Sequence, residues 1–179
     1  MTDPETLEIV CARPEELSAV KGFYYDLIDA MAGAEYSPKW TKDVYPTEAD
    51  LREHLEEGNL FLGYREGRLA AAMVVNHDFN EGYEGVHWLT EGDDGEIWAL
   101  HLLGVMPADA RQGLGRAMVR RALALVRERG GRSLRLDVIK GNLPAERLYE
   151  SMGFRHVGQA RLFYEDTGWA DFIMMEYPL

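Results

Sequence analysis

Apolar positions along the chain switch between helical and strand spacing, and the switches outline its elements. Leu7 to Cys11 reads as a short strand, after which Leu17, Val20, Tyr24, Leu27, Ile28 and Met31 recur three and four residues apart, the stripe of a helix laid on a core. A stretch rich in Gly, Pro, Trp and Tyr from Gly33 to Pro46 breaks the pattern. Thr47 with Asp50 three residues on then predicts a capped helix that contains Leu51 and Leu55. Asn59 to Tyr64 and Leu69 to Asn76 flank Arg65-Glu66-Gly67-Arg68 as a hairpin, and a long loop runs from His77 to about Asp94. The remaining order is strand (Glu96 to Val105), helix (Gly113 to Glu128), strand (Ser133 to Val138), helix (Asn142 to Met152), strand (Phe154 to Ala160) and strand (Asp171 to Tyr177). Strands interleaved with helices in this way predict an α/β fold around a central sheet.

Between the strand ending at Val105 and the helix after it stands Pro107-Ala108-Asp109-Ala110-Arg111-Gln112-Gly113-Leu114-Gly115-Arg116. The glycines let backbone amides approach a ligand with no Cβ in the way, and the free amides and positive dipole end of the helix form an anion site from the backbone alone. Two common phosphate motifs are excluded. A P-loop ends in Gly-Lys-Ser or Gly-Lys-Thr, whereas Gly115 is followed by Arg116-Ala117, and a dinucleotide fingerprint needs a third small residue where Met118 stands.

The spacing of Val105, Pro107, Gly113 and Gly115, followed by Met118 and Val119, resembles the pyrophosphate-binding segment of the GNAT superfamily of N-acetyltransferases. A second segment carries the same resemblance: the strand Leu134-Arg135-Leu136-Asp137-Val138, then Asn142-Leu143-Pro144-Ala145-Glu146-Arg147-Leu148-Tyr149-Glu150-Ser151-Met152-Gly153-Phe154. Together they span about half of the family's catalytic core; the first half of the chain matches only in its order of elements. One departure falls in the phosphate loop. The arginine or glutamine usual three residues before the first glycine is Ala110 here, with Arg111 and Gln112 directly after it.

The resemblance implies a single GNAT-like domain over residues 1–179, with a mixed sheet of about six to seven strands, about four helices, and splayed fourth and fifth strands. It implies acetyl-coenzyme A as acyl donor, held by Leu103, Gly104 and Val105, by Arg111, Gln112, Gly113, Leu114, Gly115 and Arg116, and by Asn142, whose other role would be the helix N-cap. The implied chemistry is direct attack of an amine on the thioester, which needs a base, an oxyanion donor and an acid. Tyr149 matches the family's helix tyrosine and is the candidate acid. His101, at even spacing from Leu103 and Val105 and so expected on their face, is the candidate base, with Glu96 in reserve. The fourth-strand amide near Leu103 or Val105 is the oxyanion donor. A glutamate found earlier on this strand in histone-type enzymes falls at Ala99, which weakens that chemistry.

Composition narrows the partners. With 19 Lys and Arg against 31 Asp and Glu, the net charge of −12 argues against nucleic acid and anionic membranes, although Arg111, Arg116, Arg120, Arg121, Arg127, Arg129 and Arg132 gather around the glycine loop and its helix. No stretch approaches 18 apolar residues, Met1 to Glu5 lacks a secretory start, and the single Cys11 permits no internal disulfide, so a cytoplasmic setting is expected. Cys11 is expected on a core strand, as an ordinary apolar thiol. His54, His77, His87, His101 and His156 lack ligand spacing, and no metal is expected. The acceptor is expected to be a small-molecule or peptide amine. The loop acids Asp78, Glu81, Glu84, Glu91, Asp93, Asp94 and Glu96, interleaved with Tyr83, Trp88 and Trp98 and joined by Trp40 and Tyr45, would suit an ammonium ion. Acyl-coenzyme A sensing without turnover, acetylation of a protein terminus or lysine, and a homodimer stay open.

Overall fold

A computed structural model describes residues 7–179; the reading of Met1 to Glu5 lies outside them. The strands β1 (Glu8–Cys11), β2 (Leu60–Arg65), β3 (Arg68–Asn76), β4 (Ile97–Val105), β5 (Ser133–Ile139), β6 (Arg155–Tyr164) and β7 (Gly168–Pro178) form one sheet in the order β1-β2-β3-β4-β5-β7-β6. All neighbours are antiparallel except β4 and β5, which run parallel. The helices are α1 (Leu17–Ala30), α2 (Glu48–Glu57), α3 (Leu114–Glu128) and α4 (Leu143–Met152). None of the helices described is long and apolar enough to cross a membrane.

The helices cover both faces. Met118, Val119, Ala122 and Val126 of α3 pack on Trp98, Leu100, Leu134 and Leu136, with Tyr149 of α4 beside them. On the other face, Val20, Tyr24 and Leu27 of α1 and Leu51 and Leu55 of α2 pack on Leu60, Leu62, Val74 and Leu102. The α1 stripe is rotated slightly from the expected one: Phe23 is buried, while Ile28 and Met31 are only partly so. Helix α2 starts as its sequence predicts, with the Asp50 amide donating to Thr47 Oγ1 (3.1 Å) and the Thr47 amide to Asp50 Oδ2 (2.7 Å). The β6–β7 hairpin is longer than its hydrophobic pattern suggests. Pairing continues through Leu162↔Ala170 and Phe163↔Trp169 to Tyr164↔Gly168, where Gly168 has φ +63°. Phe163 and Trp169 are exposed on its outer side and pack on each other, so apolar content there marks no core.

Two irregularities position the functional region. Strands β4 and β5 pair only over Ile97↔Ser133, Trp98↔Leu134 and Ala99↔Arg135, and then part. On its other edge β4 carries a bulge: Val74 pairs with His101 and Ala72 with Gly104, so Met73 alone faces both Leu102 and Leu103. Leu102 has φ +50°, a left-handed conformation costly for a branched side chain. Its carbonyl accepts the buried Tyr24 hydroxyl at 2.8 Å, which ties the bulge to α1. Gly104 next to it is obligatory, since a Cβ there would lie 2.4 Å from Leu27 Cδ2 and 3.3 Å from the Trp40 ring.

Tyr24→Phe should therefore leave a buried carbonyl without its donor. The expected loss is about 1–3 kcal/mol, read by calorimetry as a fall in Tm of about 2–12 °C. An unchanged Tm would show that the bulge does not need this hydrogen bond.

Candidate active site

The parting of β4 and β5 opens a cleft. Leu100, His101, Leu102 and Leu103 form one wall; Asp137, Val138 and Ile139 form the other. Asn142, just before α4, and Ala145 and Tyr149 within it line the cleft from one side, and Trp40, Tyr45, Tyr164, Asp166 and Phe172 also line it.

Tyr149 reaches this cleft from the α3–α4 side. Its ring is buried and packs edge-on against Phe154 (5.4 Å), and its hydroxyl has no protein partner among the described residues. Burial, with a smaller contribution from the Asp137 charge, pushes the phenol well above its ordinary pKa. The phenol therefore stays protonated at neutral and moderately alkaline pH.

His101 also lines the cleft, but not as even spacing predicts. The bulge inserts one residue between His101 and Leu103, so Leu103 and Val105 join Trp98 and Leu100 on the α3 face while His101 lies on the opposite one. Its Nε2 is 2.8 Å from the Asp78 carbonyl, which can only accept. Nε2 therefore carries the proton and Nδ1 is left as the basic nitrogen. Burial pulls the imidazole below its ordinary value of 6.5, against the opposing pull of Asp137 and the Asp78 carbonyl. Glu96 is corrected as a reserve base: its Oε2 accepts the Asp93 amide (3.0 Å) and faces Arg132 (3.7 Å), away from the cleft.

The glycine loop does not line the cleft. Buried Asp109 accepts two hydrogen bonds from Arg68 (2.7 and 2.8 Å) and lies 3.5 Å from Arg65, which anchors the loop to the β2–β3 turn. Those guanidinium groups hold its carboxyl below the usual range. Gly113 (φ +83°) opens α3, and Arg111 before it is also left-handed (φ +63°). A Cβ on Gly115 would sit 3.1 Å from Leu148 Cδ2 and 4.0 Å from Val105 Cγ2. Among the flanking side chains, Arg116 donates to Ser151 Oγ (2.6 Å) and Gln112 reaches the Ala108 carbonyl (3.5 Å), while buried Leu114 anchors the first helical turn. Asn142 occupies the N-cap position of α4, yet its side chain makes no capping bond and lines the cleft. Of the expected fourth-strand contacts, Leu103 lines the cleft, Gly104 packs under Leu27 and Trp40, and Val105 packs in the core beside Gly115.

The acidic loop is corrected as an ammonium pocket. None of Asp78, Glu81, Glu84, Glu91, Asp93, Asp94 or Glu96 has a side chain on the cleft. Trp88 stacks on Arg135 (4.5 Å), Trp98 lies in the core, and Tyr83 is buried with its hydroxyl on Asp137 (2.7 Å). Of the anticipated aromatics only Trp40 and Tyr45 line the cleft. Cys11 is corrected too: it is exposed on edge strand β1, with Sγ 3.5 Å from the Gly58 carbonyl. Asp137, Tyr164 and Asp166 were missed. Asp137 had a signal, a carboxylate in an otherwise apolar half-strand; Asp166 had none, because only the hairpin turn carries it to the cleft. No group of three or more metal-ligating side chains occurs among the described residues.

A sheet split between two parallel strands, with a glycine-opened helix beside the split, is the arrangement that the sequence resemblance implied. Residues 25–154 match the Acetyltransferase (GNAT) family, and the chain belongs to that family. It is 32% identical over 126 residues to N-alpha-acetyltransferase RimI of Mycobacterium tuberculosis, covering 70% of this chain and 71% of the relative. It is 43% identical over 75 residues to a mycothiol acetyltransferase of Thermobispora bispora, covering 39% of this chain and 25% of the relative. The chain spans only about a quarter to a third of the mycothiol acetyltransferases it matches. Among solved structures, a putative acetyltransferase, yncA of Salmonella typhimurium with its cofactor acetyl-CoA, superposes with TM-score 0.70 at 18% identity, over 97% of this chain and 94% of that one.

The residues present fit acetyl-coenzyme A, which the family uses. The cap side chain of Asn142 is uncommitted, the Tyr149 hydroxyl has no partner among the described residues, and nothing lies within 4 Å of the Cβ position of Gly113 where α3 opens. Saturating acetyl-coenzyme A should raise Tm by roughly 5–10 °C, corresponding to about 2.7 kcal/mol at a hundredfold its Kd. ATP should not, and Gly115→Glu should abolish the shift. A shift of equal size with ATP would mean the loop binds phosphates without regard to coenzyme A.

Proposed function

We propose that this chain transfers an acetyl group from acetyl-coenzyme A to a primary amine of a small molecule or peptide by direct attack within the β4–β5 cleft. The observation that carries this reading is the pairing, in one cleft, of a buried phenol without a partner and an imidazole whose Nε2 is committed, leaving Nδ1 basic.

When bound, acetyl-coenzyme A supplies an electrophilic acyl carbon and a thiolate leaving group. His101 Nδ1 takes the proton of the attacking amine, directly or through one water, as the new C–N bond forms. Beyond Ala99 the edge of β4 that faces β5 has no ladder partner, so an amide near Leu103 on that edge is able to donate to the acyl oxygen as charge builds on it. As the C–S bond breaks, Tyr149 donates its proton to the sulfur. Asn142 and the amides of Gly113, Leu114, Gly115 and Arg116 hold the coenzyme, with the positive end of α3 favouring its phosphates.

The pH dependence follows from His101. A pKa below 6.5 means the neutral imidazole is already abundant at neutral pH and is lost as pH falls. The acceptor kcat/KM should accordingly drop on an acid limb centred below 6.5, and His101→Ala should remove that limb as well as lower the rate. Tyr149→Phe should lower kcat about a hundredfold with little change in the acetyl-coenzyme A KM. Stopped thiol-release assays across pH read both effects. Retention of full kcat by the phenylalanine variant would remove Tyr149 from the acid role.

A further inference from the structure

The cleft holds two carboxylates that the acetyl-transfer steps leave unused. Ala99 pairs with Arg135, and two residues further along each strand stand His101 and Asp137, on one face of the sheet and opposite each other across the opening. Asp137 Oδ2 accepts the hydroxyls of Tyr83 (2.7 Å) and Tyr164 (2.8 Å), which fix the carboxylate in place. Asp166, in the turn between β6 and β7, lines the same cleft, and its Oδ1 is buried with no hydrogen-bond partner. Tyr164, whose hydroxyl bonds Asp137, stands two residues from Asp166 at the same end of the β6–β7 hairpin, and all three line the cleft with Tyr45. Trp40 and Tyr45 supply aromatic faces there, and no Lys or Arg lines the cleft among the described residues. Tyr149, itself more than nine-tenths buried and with its hydroxyl unpartnered among the described residues, lines the same space from the opposite side.

Two carboxylates beside a single reacting ammonium would hold it protonated and oppose its attack. They favour reaction only when the acceptor retains another positive charge after its amine is deprotonated. Resting on the acetyl-transfer reading, we propose that the acceptor is a compact dication: one amine reacts between His101 and Tyr149 while a second ammonium group is held by Asp137 and Asp166 against the faces of Tyr45 and Trp40. Cation–π and carboxylate contacts then act on the same group, out of full solvent. A carboxylate on the acceptor close to its amine would meet Asp137 with like charge and be rejected.

The test compares 1,4-diaminobutane, 1-aminobutane and 4-aminobutanoate. Calorimetric binding is measured without coenzyme and acetyl transfer is measured with it, for the natural chain and for Asp166→Asn, Asp166→Glu and Asp137→Asn. The natural chain is expected to bind the diamine at least about tenfold more tightly than the monoamine, and to exclude the amino acid. Asp166→Asn should collapse that preference, and Asp166→Glu should restore part of it. Equal binding of diamine and monoamine, or a preference that survives Asp166→Asn in a variant of unchanged Tm, overturns the proposal. The two readings fail separately: diamine preference without acetylation of any amine would sink the transfer reading and leave the dication site standing. Acetylation of monoamine and diamine with equal kcat/KM would do the reverse.

Discussion

The hydrogen bond from Tyr24 to the carbonyl of Leu102 holds a strained backbone on which the cleft depends. A left-handed leucine in the middle of a central strand persists only when its surroundings over-determine it. Here a helix on one face supplies the donor, Gly104 lets Leu27 and Trp40 close over the next turn of the strand, and β3 continues pairing on both sides of the bulge. The outcome is a strand whose first half is in ladder with β5 and whose second half is turned away from it.

That turn separates the two kinds of chemistry by sheet face. Tyr149, Leu103 and the glycine loop belong to the α3–α4 side, where amides and the helix dipole favour a polyanion. His101, Asp137 and Asp166 belong to the other side, where carboxylates and aromatic rings favour cations. Without the bulge, His101 and Leu103 would share one face of the sheet, and this separation would be lost. The buried Asp109–Arg68–Arg65 cluster matters for the same reason, since it fixes the glycine loop to the β2–β3 turn independently of the cleft.

Much of this is local and so legible along the chain. The Thr47–Asp50 box, the hairpin about Gly67 and the glycine pair opening α3 follow from interactions within a few residues, and each element lies within a residue or two of its expected bounds except the β6–β7 hairpin. There the turn at Asp166–Gly168 overrode an interrupted apolar pattern, because cross-strand partners supplied the pairing. The acidic loop failed as a pocket for a related reason. Its charges satisfy local amides and solvent, and its rings face the core and Arg135.

The sequence by itself determined the order of elements and the glycine pair that opens α3, and it singled out Tyr149 and His101 as candidates, since spacing and backbone freedom are properties of short segments. Only tertiary structure decided which way His101 faces, because side-chain parity along a strand is reset by one inserted residue, and that insertion is visible only against β3. It alone brought Asp137, Tyr164 and Asp166 together as well. They stand on separate strands and a turn, and their meeting depends on where β4 and β5 cease to pair, a long-range balance that no local window of sequence encodes.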